Sequence, residues 1–164
     1  MLEDVMPRVL SQGKAGWSFV PENNDNRDEV RVVQGYDAVR TDLAATLRWL
    51  TEQGGSHNFV ILEVNDEKNY YVQFSASCGG AVVQGEAVSE RYVLTPLSPA
   101  QRAGLLGLGW RRPTDTKLPN YYRFWTVLTD RDRLAVADVA LETLQQVYGW
   151  QRDSAVRIII HMNW

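Results

Sequence analysis

One cysteine, Cys78, stands in a chain of 164 residues, so no internal disulfide can form, and a reducing compartment is the expectation. Histidine is equally scarce. His57 and His161 are the only two, and with a lone cysteine and no close spacing they do not make a structural zinc site, which needs paired ligands. No apolar run approaches the roughly 18 residues that a membrane span requires. The formal charge is -3, so no global positive field draws the protein to nucleic acid or anionic lipid. The first residues, MLEDVMPRVLSQGK, are acidic before they are basic and lack a continuous apolar core, so they do not read as a secretory signal. Internal repeats and low-complexity tracts are absent too. These absences predict a cytoplasmic protein with no membrane or nucleic-acid partner, no metal and no cofactor.

Aromatics are plentiful, with six tryptophans and seven tyrosines, side chains that suit large cores and binding surfaces alike. The length fits one domain that buries most of its extended surface. Residues 1–35 stand apart as a poorly defined N-terminal extension. PENNDNRDE at 21–29 has no apolar period and reads as an exposed loop, with Val30, Val32 and Val33 as a short strand at most. The single α+β domain then occupies 36–164.

Within it, Asp37 is placed to cap a helix on which Val39, Leu43, Leu47 and Leu50 recur before Gly54 and Gly55. HNFVILEV at 57–64 and NYYVQFSA at 69–76 flank the turn NDEK, which predicts a hairpin, the first strand being covered on both sides. AVVQGEAV at 81–88 is a third strand, with Gly85 as a candidate bulge. Ser98, Pro99 and Gln101 form a capping box with proline in the first turn of a short helix near 98–107. NYYRFWTVL at 120–128 alternates as a fourth strand. Thr129 and Asp132 open the longest helix, striped by Leu134, Ala137, Leu141, Leu144 and Tyr148, and Gly149 stops it. In AVRIIIHMNW, Val156, Ile158, Ile160, Met162 and Trp164 fall on one face and Arg157, His161 and Asn163 on the other. The order is α-βββ-α-β-α-β, a mainly antiparallel sheet packed against helices.

Candidate chemistry is sparse. Cys78 as nucleophile needs a base, and only His57 and His161 are candidates; SCGG is too generic to mark a protease. Glu63 and Glu86 lie in strands that could be neighbours, and paired carboxylates can do acid–base work. A cysteine- or carboxylate-dependent hydrolase or transferase is therefore the alternative function. GLLGLGW ends a helix rather than beginning one, so it is no phosphate cradle. Arg111, Arg112, Lys117, Arg123, Arg131 and Arg133 surround Tyr121, Tyr122 and Trp125, a local basic and aromatic cluster better matched to an acidic peptide than to a nucleic acid.

YVQF at 71–74, GEAVS at 85–89, Leu97 with Ser98 and Gln101, LGW at 108–110, Pro113, NYYRFW at 120–125 and TLQQVYG at 143–149 follow one another in order. Together they resemble the TY-Chap group of bacterial, chiefly actinobacterial, domains, related to type III secretion chaperones and YbjN-like proteins. The resemblance covers roughly residues 37 to 163. It implies a chaperone-like α+β fold that binds peptides or partner proteins and carries no catalytic site. It transfers no binding residue.

Strand periodicity supplies candidates instead. If Tyr70, Val72 and Phe74 face the helices, Tyr71 and Gln73 face outward, and Tyr121, Arg123 and Trp125 would share that outer face. Such a surface suits an extended segment of a protein or peptide partner. The competing expectation is that residues 1–35 or a second subunit cover it. The final strand, free to lie at a sheet edge, offers a second route by strand addition, for a partner or for a homodimer.

Overall fold

The computed structural model describes residues 26–53, 58–65, 67–76, 80–114 and 117–163. Three helices and six strands follow in the order β1 (Asn26–Gln34), α1 (Tyr36–Glu52), β2 (Phe59–Asn65), β3 (Tyr70–Ala76), β4 (Val82–Ala87), α2 (Pro99–Gly107), β5 (Tyr121–Thr126), α3 (Asp130–Gln146) and β6 (Ala155–Asn163). All six strands form one antiparallel sheet in the order β1-β6-β2-β3-β4-β5.

Local chemistry sets the helix boundaries. Ser98 Oγ accepts from the Gln101 amide at 3.1 Å while Gln101 Oε1 accepts from the Ser98 amide at 2.9 Å. Thr129 and Asp132 repeat that reciprocal pairing at the start of α3. Each box satisfies amides that a helix N-terminus otherwise leaves orphaned. At α1 the expected cap is displaced. Gly35, at φ 93, is the N-cap, and Asp37 sits in the first turn, where its charge favours the helix dipole. Only glycine takes that φ without strain, and the Gly35 amide is fixed by donating to the Ser154 carbonyl at 3.0 Å.

The helices lie on one face of the sheet. Val39, Leu43, Leu47 and Leu50 of α1 are buried, as are Val136, Ala137, Ala140, Leu141 and Leu144 of α3. α2 is the peripheral helix, burying Leu105 alone. Against them stand Val60, Leu62, Tyr70, Val72, Phe74, Val83, Ile158 and Ile160. Polar contacts fix the docking. Trp110 Nε1 donates to Thr143 Oγ1 at 2.9 Å, Tyr148 Oη donates to the Val88 carbonyl at 2.9 Å, and Gln101 Nε2 donates to the Val147 carbonyl at 2.9 Å.

The structure corrects three expectations. β1 is nine residues long and pairs with β6 from Asn26↔Asn163 to Gln34↔Ala155, so the sheet reaches into the stretch that composition had set apart as a terminal extension. β6 is consequently not an edge strand; it lies between β1 and β2. The face of β6 that carries Arg157 and His161, where alternation predicts solvent, is closed over its middle, with Ile159 and His161 both buried; Trp164 lies outside the described residues. Finally, Gly85 is no bulge. It keeps regular register between Phe74 and Arg123, and a Cβ there would meet Trp125 Cζ3 at 2.6 Å and Phe74 Cε1 at 3.0 Å. The glycine is there for ring packing, and the one register shift in the hairpin falls between Glu63 and Asn65.

Candidate peptide-binding site

Cross-strand partners point to the same side of a sheet, so the register assigns each candidate residue to a face. One row runs Ile159, Ile61, Gln73, Glu86, Tyr122. Another runs Ile160, Val60, Phe74, Gly85, Arg123. Tyr70, Val72 and Phe74 face the helices as expected, and Tyr71 and Gln73 take the second face. Tyr121, Arg123 and Trp125 do not join them; they lie on the helix side. The reason is the register of β5, which counting within a single strand cannot supply. Trp125 packs edge-on to Trp110 with ring centroids 5.8 Å apart. Arg123 lies over the Trp125 ring at 4.9 Å and donates from Nη1 to the Leu108 carbonyl at 2.6 Å, closing the C-terminus of α2. Tyr121, Tyr71 and Gln73 are buried. The expected single aromatic and basic surface is therefore not formed.

The second face carries most of the ionisable candidates. Glu63 and Glu86 both point to it, but β3 separates their strands, which places them about 10 Å apart across the strands alone. That exceeds the spacing of a nucleophile–acid pair. Burial pushes the Glu86 carboxyl up to about 7, opposed by a hydrogen bond from Asn120 Nδ2 at 3.5 Å. The same amide reaches Tyr71 Oη at 3.5 Å, and burial raises that phenol well above its usual range. His161 Nδ1 lies 2.6 Å from Asp28 Oδ1, both side chains are buried, and the imidazole stacks on Phe59. Cys78 and His57, the other members of the thiol reading, lie outside the described residues. The basic cluster is dispersed. Arg123 is held internally, and Arg133, buried, pairs with Asp130 at 2.9 Å. Among the described residues no group of three or more His, Cys, Asp or Glu could hold a metal ion, and no described helix is long and apolar enough to cross a membrane.

The feature that sequence reading underweighted is β1. It is an edge strand, and its outer side pairs with no other described strand. Its side chains alternate. Val30 and Val32, 45% and 68% exposed, flank the edge on the second face. Glu29 and Arg31 turn to the helix side, where they border a groove of about 270 Å³. Ile160 and Met162 of β6 also line it, as do Ala45, Thr46 and the half-buried Trp49 of α1. Arg31 is held rigidly at its rim. Its guanidinium donates to Glu29 Oε1 at 2.9 Å, Asp42 Oδ1 at 2.9 Å and Thr46 Oγ1 at 3.2 Å, and Nε has no hydrogen-bond partner among the described residues. The signal was present in the sequence as alternation over DEVRV, but polar flanks hid it.

No curated protein and no solved structure matches the chain. A family model does, across residues 29–158, which takes in α1 to α3 and β2 to β5 whole, most of β1 and the start of β6. The chain belongs to that family, TY-Chap3, the T3SS (YopN, CesT) and YbjN peptide-binding chaperone 3 domains.

Proposed function

We propose that this domain is a non-enzymatic chaperone or adaptor that captures a partner protein as an extended segment added to the free edge of β1. One observation carries the reading: a nine-residue edge strand bearing exposed Val30 and Val32 beside an amphipathic groove. Unpaired edge amides and carbonyls recruit another strand, and backbone hydrogen bonds give affinity without demanding a sequence. Specificity comes from alternate side chains of the added strand. Those on the helix side enter the groove, where Trp49, Ala45 and Met162 favour an apolar residue, the Arg31 charge at the rim being already paired with Glu29 and Asp42. The hydrolase alternative has less to stand on, because Glu63 and Glu86 are not neighbours.

The test is a synthetic array of extended peptides with alternating apolar residues, read by hydrogen exchange and by titration of Val30→Lys/Val32→Lys. Both valines are exposed, so charge there leaves the fold intact while blocking edge pairing. Binding peptides should protect β1 amides, and the double variant should lose at least about tenfold in affinity, roughly 1.4 kcal/mol. Unchanged affinity with protection elsewhere overturns the proposal. A wild-type dimer that the same variant dissociates would mean that a second copy of β1 is the added strand.

A further inference from the structure

The two edges of the sheet are not equally free. At β5 the Arg111 amide donates to the Tyr122 carbonyl at 2.9 Å, and the Tyr122 amide returns a bond to the Arg111 carbonyl at 3.1 Å. A neighbouring segment thus closes part of that edge. At β1 no described strand does so, and the ladder with β6 tells which backbone groups are left over. The Gly35 amide donates to the Ser154 carbonyl at 3.0 Å, one step beyond the Gln34↔Ala155 pair. Hydrogen-bonded and non-hydrogen-bonded pairs alternate along an antiparallel ladder, so Arg27, Glu29, Arg31 and Val33 turn their backbone groups to β6. Asn26, Asp28, Val30, Val32 and Gln34 turn theirs outward. The strand also reads as its own antiparallel complement. It runs from Asn26 to Gln34, so Val30 is its midpoint. A two-fold axis at Val30 sets Glu29 opposite the partner's Arg31, Val30 opposite the partner's Val30 and Asp28 opposite the partner's Val32. Every outward amide and carbonyl then finds a partner. Moving the axis by one residue sets Glu29 on Glu29 or Arg31 on Arg31, and like charges directly opposite are destabilising.

We propose that a second copy of the chain occupies the β1 edge while no partner segment is bound, the two β1 strands pairing antiparallel about Val30, so that capture requires the pair to part. This rests on the reading of β1 as the capture edge and adds the regulation of that edge. The register that uses the whole strand is also the one that avoids like charges, which singles it out among the alternatives. Within each copy Glu29 and Arg31 pair at 2.9 Å on the helix side. The partner brings the same pair in reversed order, so opposite charges alternate across the axis. On the other face Val30, 45% exposed, meets the partner's Val30, and pairing takes both out of water. The contact is isologous and closes as a dimer, whose joined sheet keeps only its two β5 edges. A partner segment competes for the same amides and carbonyls, so its apparent affinity falls as the protein is concentrated.

Val30→Cys, in the full chain with Cys78→Ser, sets two thiols opposite each other with Cα atoms about 5.5 Å apart, within disulfide reach. Val32→Cys sets them about 14 Å apart along the strands, although Val32 is the more exposed of the two. Under mild oxidation the first variant should form a disulfide dimer and the second should not. Competition is read with a synthetic peptide of residues 26–34. At saturation it should slow the Val30→Cys cross-linking at least about tenfold and convert the wild-type dimer to monomer in the ultracentrifuge. The same peptide carrying Glu29→Arg and Arg31→Glu opposes like charges and should be the weaker competitor. Equal cross-linking of both cysteines, equal competition by both peptides, a monomeric wild type, or a dimer that the peptide leaves intact each overturns the proposal. A monomeric wild type whose β1 amides the peptide still protects from hydrogen exchange leaves edge capture standing and removes only the second copy. Absence of both cross-link and protection removes the capture edge as well.

Discussion

Glu86→Gln makes the buried second face measurable through pH. The Glu86 side chain is 1% exposed, and burial raises its pKa from 4.5 to about 7 in the folded protein. A carboxyl raised on folding binds its proton more tightly in the native state, so stability from this group is fully present below the unfolded pKa of 4.5 and is lost as pH rises through about 7. At 1.36 kcal/mol per unit, the full loss is about 3 kcal/mol. Urea unfolding of both proteins from pH 4.5 to 8.5 isolates the term, because other titrations cancel in the difference. Asp138 and Asp132 work in the opposite direction, their carboxyls being lowered chiefly by the Arg40 hydrogen bond and by the Leu128 amide, so their stabilisation fades in acid and lies outside this window. The glutamine variant should therefore gain on the wild type steadily with pH, by about 3 kcal/mol at the alkaline end. A pH-independent difference would refute the reasoning and mean that water reaches Glu86.

Other substitutions probe the remaining layers. Leu141→Ala, at a fully buried position of α3, should cost about 2–5 kcal/mol in denaturant unfolding; a loss well below 1 kcal/mol would mean that the helix face is misassigned. Gly85→Ala should destabilise by about 1–3 kcal/mol despite alanine's lower unfolded-state entropy, since its Cβ meets two ring atoms. Near-ultraviolet circular dichroism should register the displaced Trp125. Arg123→Ala should lower the melting temperature through the freed Leu108 carbonyl and the lost stacking on Trp125, and should leave peptide affinity at β1 unchanged.

What the sequence determined by itself was everything encoded within a few residues. The capping boxes at Ser98 and Thr129, the hairpin around residues 65–68 and the stripes of α1 and α3 depend on contacts three or four positions apart or on an immediate chain reversal. Order and spacing of such pieces were also enough to suggest the family. Tertiary structure alone decided which strand lies beside which and what lies above each face. β6 alternates as cleanly as any edge strand, and nothing local reveals that β1 pairs outside it. Period two in β3 separated Tyr70 from Tyr71 correctly but could not say that Trp125, two strands away, would fall with Phe74. That depends on the register of β4 and β5, which the fit of Phe74 and Trp125 over Gly85 accompanies. Burial of Tyr71 and Gln73 was beyond reach for the same reason. Alternation records which residues share a face, while the solvent at that face is set by chain segments distant in sequence.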